Sequence, residues 1–167
     1  MELYFMRHGI AAPEDSPGVD SDGERPLTPK GIKRMRKAAK GLLSLRVSFD
    51  RILTSPLLRA RQTAQVVTEV LGAEERLQEI PELAPERSVQ ELVARLADYG
   101  EEKRILLVGH QPLLGETASF LLSRSKMTGI PLKKGGLCCL EIDDLQSETV
   151  AVLHWMLTPK QLRLLAG

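Results

Sequence analysis

At 167 residues, with 43% apolar and 27% charged side chains, the chain is long enough to bury a core and too apolar to be largely disordered, while a net charge of +1 excludes nucleic-acid binding driven by overall electrostatics. The two cysteines, Cys138 and Cys139, are adjacent, which suits neither a disulfide framework nor metal-ligand spacing and predicts buried, reduced thiols. No stretch has the length and apolarity of a membrane span or the layout of a signal peptide, so the expected partners exclude the bilayer and the expected location is cytoplasmic.

Leu3, Tyr4, Phe5 and Met6 form an apolar run suited to a strand covered on both faces. It stops on Arg7, His8 and Gly9, and the glycine is expected to permit a sharp turn and close approach of a ligand. The loop from Ile10 to Leu27 is rich in Pro, Asp, Ser and Gly. Its acids Asp20, Asp22 and Glu24 lack the spacing of a calcium loop, so it reads as a solvated acidic segment and, beside His8, a flap. Arg25 closes it, as a surface cation or as a support for the site. Thr28-Pro29 begins a helix with Ile32, Met35, Ala39, Leu42 and Leu43 as its apolar face. Its other face carries Lys30, Lys33, Arg34, Arg36, Lys37 and Lys40 with no acid and no aromatic between them. That pattern reads first as a solvated face, second as a dock for an acidic partner, and gives no support for single-stranded nucleic acid.

Asp50 to Ser55 is a second strand, and Ser55-Pro56 reads as a capping hydroxyl and first-turn proline of a helix running to Leu71 and ended by Gly72. Arg59 and Arg61 lie about 200° apart around that helix, so only one of them faces a site at its start. A short strand at Gln78 to Ile80 leads into the turn-rich Pro81 to Glu86. Ser88 and Glu91 then form a capping box for a helix to Leu96. Arg104 to Val108 is another buried run, ending in Gly109-His110, and Gln111 to Leu122 continues as a helix. Gly135 to Ile142 and Thr149 to Trp155 read as a hairpin around Asp143 to Ser147, with His154 as a packing residue, and Thr158-Pro159 starts a last helix. The order predicts one domain over residues 1–167, a three-layer α/β/α sandwich with a mostly parallel sheet and an antiparallel edge.

Three of these runs end in polar residues at their carboxyl ends, where open α/β sheets bind ligands and helix N-termini favour anions. The grouping predicts phosphoryl chemistry. Arg7 and Arg59 would hold phosphate oxygens, His8 would be the nucleophile with its ring oriented by the Gly9 carbonyl, and His110 would donate to a phosphate oxygen. Nearby cations would keep His8 neutral. There is no P-loop, dinucleotide turn, cysteine-phosphatase loop or metal-spaced cluster, so no metal and no cofactor are expected.

Arg7-His8-Gly9, Ser55-Pro56-Leu57-Leu58-Arg59-Ala60-Arg61-Gln62-Thr63-Ala64 and Gly109-His110 resemble, in order, the signature segments of the histidine phosphatase superfamily, whose fold is phosphoglycerate-mutase-like. Arg25-Pro26-Leu27-Thr28 with Gly31, Pro81-Glu82-Leu83, and Trp155 followed by Pro159 resemble its SixA-type branch of phosphohistidine phosphatases. The resemblance implies that His8 accepts the phosphate and that Arg7, Arg59 and His110 form its pocket. It also implies a phosphorylated protein substrate, the phosphohistidine of a phosphotransfer domain in two-component signalling. Larger members carry a glutamate proton donor in an insertion absent here; Glu82, backed by Glu86, is the nearest candidate. A small-molecule phosphomonoesterase or mutase, and a catalytically silent phosphate-binding module, are the alternatives. The sequence carries no signal for an oligomeric state.

Overall fold

A computed structural model describes residues 1–125, 129–145 and 150–167. The strands are β1 (Glu2–Arg7), β2 (Arg51–Thr54), β3 (Leu77–Glu79), β4 (Arg104–Gly109), β5 (Leu137–Glu141) and β6 (Val152–Leu157). Between and after them run α1 (Pro29–Ser44), α2 (Leu58–Leu71), α3 (Val89–Leu96), α4 (Leu113–Ser123) and α5 (Pro159–Leu164). The sheet has the order β3-β2-β4-β1-β5-β6. β1 pairs in parallel with β4, and β2 in parallel with both β4 and β3, while β5 and β6 add an antiparallel edge.

Alternation along the strands divides the core into two layers. Leu3, Phe5, Leu53, Ile105 and Leu107 point to one face, where α3 and α4 cover them through Leu92, Leu96, Leu114 and Leu121. Tyr4, Met6, Ile52, Leu106 and Val108 point to the other, where α1, α2 and α5 bring Met35, Leu42, Ala64 and Leu162. Both faces are dry, which is why the central strands are apolar at every position rather than at every second one. The three-layer, mostly parallel α/β/α architecture is the one the sequence predicts.

Several boundaries differ from expectation. α2 starts at Leu58, with Leu57 as its cap residue and no side-chain cap, so Ser55 and Pro56 belong to the turn before it. α4 starts at Leu113, after Gln111-Pro112. Leu43 is 49% exposed, and Ala38 and Gly41 take its place on the buried face of α1. His154 is not a packing residue: it lies on the exposed edge strand β6, with Nε2 2.7 Å from Glu141 Oε2. Part of the hairpin turn, residues 146–149, lies outside the described residues. Cys138 and Cys139 are free and fully buried, and burial pushes their thiols up to about 12 and about 11.

Candidate active site

The backbone ladder continues past the strand ends, and this brings the polar residues together. His8 N–H donates to the Gly109 carbonyl at 3.0 Å and Ser55 N–H to the Val108 carbonyl at 3.0 Å, so His8, Ser55 and His110 are fixed side by side. On the far side of β1, Gly135 N–H donates to the carbonyls of Arg7 and His8 at 2.9 and 3.1 Å, which sets Lys134 at the rim. The result is a pocket of about 220 Å³ whose walls include Arg7, His8, Asp22, Arg59, His110 and Lys134.

His8 is buried, with Nδ1 2.7 Å from its neighbour's carbonyl, that of Gly9. A carbonyl only accepts, so Nδ1 carries the ring proton and Nε2 keeps its lone pair. The imidazole is pushed down to about 4, chiefly by burial; the Gly9 carbonyl opposes this, and Arg59, Arg7 and Lys134 add to it. The neighbouring cations are therefore a secondary cause of neutrality, behind loss of solvent. His110 lies with its ring centre 5.1 Å from that of His8 and is pushed down to about 3, again first by burial. Its Nε2 is 2.8 Å from Ser55 Oγ, which also accepts the Leu57 N–H at 3.2 Å. Ser55 thus holds a histidine ring instead of capping a helix.

Gly9 has no left-handed backbone angle and is no sharp turn. A Cβ there would sit 2.7 Å from Met35 Cγ, so the glycine is required by contact with α1. Gly9 N–H donates to Thr63 Oγ1 at 3.0 Å, and the Thr63 hydroxyl donates to the Arg59 carbonyl at 2.6 Å. This chain of bonds ties the end of β1 to α2 and aligns Arg59 with His8. Arg61, on the other side of α2, is exposed and 3.7 Å from Glu79.

Arg7 donates from one terminal nitrogen to the Leu132 carbonyl at 3.1 Å, and its buried Nε has no hydrogen-bond partner among the described residues. Such a donor is costly unless an anion meets it. Arg59 is buried and bonded to Asp22 twice, from Nη1 to the backbone carbonyl at 2.6 Å and from Nη2 to Oδ2 at 2.9 Å. Arg25 reaches the same carboxylate at 2.8 Å and the Ala12 carbonyl at 2.8 Å. Burial alone would raise the Asp22 carboxyl, but hydrogen bonds from Arg25 and Arg59 outweigh it and hold the group below its usual range. An acid of the loop, still half exposed, therefore lines the pocket.

The expected proton donor does not. Glu82 is absent from the pocket wall and lies 4.0 Å from Arg95 of α3, while Glu86 is exposed. The geometry unites Arg7, His8, Arg59 and His110 and leaves Glu82 apart because the segment from Pro81 to Leu83 turns its acid toward α3. Ser55, Thr63, Asp22 and Lys134 are the site residues not anticipated. Ser55 and Thr63 sit in one motif with Arg59 and were open to detection there, whereas Asp22 and Lys134 come from loops whose local sequence gives no direction. Among the described residues no group of three or more His, Cys, Asp and Glu could hold a metal ion.

A sheet with two buried histidines and a buried and a half-buried arginine at its carboxyl edge defines a class, and comparison with known proteins identifies it. Residues 3–85 match the model of the histidine phosphatase superfamily (branch 1). The chain is 36% identical to phosphohistidine phosphatase SixA of Escherichia coli K12 over 117 residues, 69% of this chain and 70% of that protein. It belongs to the histidine phosphatase superfamily, branch 1, with the phosphoglycerate-mutase-like fold. An uncharacterized protein of Picosynechococcus sp. PCC 7002 is 41% identical over 167 residues, 97% of this chain and 99% of the relative. Among solved structures, the protein histidine phosphatase SixA complexed with tungstate superposes with a TM-score of 0.85 at 29% identity, covering 97% of this chain and 99% of that one.

Proposed function

We propose that the protein removes phosphate from phosphohistidine on a protein through a phosphorylated His8. Nε2 of His8 attacks phosphorus as the P–N bond of the substrate breaks. The substrate imidazole, already protonated on its other nitrogen, leaves neutral, and His8, protonated on Nδ1, takes over the same charge. No proton from the enzyme is needed, because the phosphoryl group passes between two equivalent rings. Water then bonds to phosphorus as the His8 P–N bond breaks, both of its protons leaving with the inorganic phosphate. Arg7, Arg59 and neutral His110 hold the phosphoryl oxygens as charge spreads over them.

The observation that carries this reading is the pairing of an unprotonated His8 with a carboxylate, Asp22, that two arginines keep ionised. An ester would release an alkoxide that needs a proton, and an ionised Asp22 has none to give. An imidazole leaving group avoids the demand. The name of the E. coli relative supports the same substrate class, and tungstate, the tetrahedral oxyanion bound by the structural neighbour, suits a pocket of this charge.

The test is incubation with a phosphohistidine-bearing phosphotransfer domain and, separately, with an aryl phosphate, using wild type and His8→Ala. Dephosphorylation of the protein, weak action on the ester and loss of turnover by at least ~10³-fold in the variant are expected. Fast ester turnover with an inert phosphoprotein would assign the activity to small molecules. Unchanged turnover in His8→Ala would reject the mechanism.

A further inference from the structure

The basic face of α1 is part of a larger feature. Lys30, Lys33, Arg34, Lys37 and Lys40 fall within a stripe about 120° wide and about 15 Å long on the side of α1 away from the core. α5 lies against this helix at Gly41, where a Cβ would run into the Leu162 carbonyl, so only glycine allows the approach. That contact sets Arg163 beside the stripe and makes the two helices the walls of a cleft of about 700 Å³. Arg34 and Arg163 also line a second cleft of about 580 Å³, together with Lys160, Lys133, Lys134 and Arg7. Arg7 and Lys134 in turn line the pocket that holds His8. Successive cavities share basic lining residues, so one track of basic side chains leads from α1 to the candidate nucleophile.

Charge separates this track from an ordinary solvated face. Arg36, at its edge, pairs with Glu69 at 2.9 Å, whereas the stripe on α1, Lys133, Lys134, Lys160 and Arg163 form no ion pair among the described residues. With the whole chain at only +1, the remaining surface is net acidic. Like charges crowded on one helix face destabilise it, so an opposite charge is the complement this face lacks. No aromatic side chain lines either cleft, which removes the stacking platform that single-stranded nucleic acid uses.

We propose that the track docks an acidic segment of the phosphoprotein substrate, its carboxylates lying along α1 and α5 while the phosphohistidine enters the pocket. This rests on the phosphohistidine reading above. Rim charges of this kind act on encounter rate and salt dependence.

The test uses two synthetic phosphohistidine peptides of equal length, one flanked by glutamates and one by glutamines, with wild type and Lys33→Glu/Lys37→Glu/Lys40→Glu. All three lysines are exposed, so the variant is expected to fold, which circular dichroism checks. Wild type should show a KM about tenfold lower for the glutamate peptide at similar kcat, with the preference lost in high salt and in the variant. Phosphoramidate, a small P–N substrate, should be turned over equally by both proteins. Equal KM values for the two peptides, or a preference that survives in the variant, would overturn the docking proposal and leave the phosphohistidine reading standing. If neither peptide is dephosphorylated, that reading fails, and fluorescence anisotropy of the unphosphorylated glutamate peptide decides the track alone. Binding lost in the variant supports it, and binding unchanged overturns it. Tighter binding of a single-stranded oligonucleotide or of anionic vesicles to the same lysines would also overturn it.

Discussion

Loss of solvent sets the state of the two site histidines. Both rings are almost fully buried and both are pushed well below the ordinary imidazole range, with adjacent cations as the lesser cause. What then distinguishes them is the partner each ring holds. His8 has a carbonyl on Nδ1, which leaves the Nε2 lone pair free, whereas His110 has its Nε2 on the Ser55 hydroxyl. Ser55→Ala removes that anchor. The expected result is a fall in kcat/KM of about tenfold and a stability loss of about 1–3 kcal/mol, because the buried His110 Nε2 and the Leu57 N–H are both left without their partner. Steady-state rates and denaturant unfolding measure the two together. An unaltered kcat/KM would mean that packing alone positions His110.

At the scale of elements, the loop from Ile10 to Leu27 behaves as a strap across α2. It is tied down by the bridge of Ala11 with Leu27, by Gln62 accepting the Leu27 N–H at 2.6 Å, and by the contact of Asp22 with Arg59. Asp22 occupies the Arg59 guanidinium, which the proposed mechanism assigns to phosphate, so on that mechanism it competes with substrate for Arg59. Asp22→Asn should therefore bind tungstate or phosphate about fivefold more tightly, in line with the ~1 kcal/mol of a partly exposed ion pair. Inhibition constants for tungstate in the two proteins provide the comparison. Weaker binding in the variant would show instead that the carboxylate orients Arg59 for the anion.

At the scale of the whole molecule, burying two neutral histidines makes folding depend on pH. Each has a folded value below the unfolded value near 6.5, so below about pH 6.5 the unfolded chain binds more protons and stability falls as pH falls. Above that pH the two rings are neutral in both states and contribute no slope. His8, at about 4 in the folded protein, accounts for ~2 kcal/mol between about pH 7.5 and about pH 5. Urea unfolding at those two pH values should show wild type losing that much more stability than His8→Ala. Equal losses would place the His8 ring in contact with water.

Much of this protein is legible in its residues because the relevant physics is local. Continuous apolar runs identify β1 and β4 as doubly covered strands, Ser88 with Glu91 caps α3, and polar residues at three strand ends mark the edge where open α/β sheets commonly bind ligands. The positions of Arg7, His8, Arg59 and His110 follow from those runs, since a strand end or first helical turn is set by short-range sequence. Tertiary packing decided the remainder. Ser55 was free either to cap a helix or to face a ring, and only the ladder from β2 to β4 set it beside His110. Asp22 sits in a loop whose path depends on contacts with α2, far away in sequence, so nothing local turns its carboxylate toward Arg59. Glu82 lies 4.0 Å from Arg95 of α3 with its Oε2 buried and without a hydrogen-bond partner among the described residues, a placement to which the local sequence gives no clue. The lysines of α1 are visible in the sequence, but their union with Arg163, Lys134 and the pocket exists only because Gly41 lets α5 lie against α1.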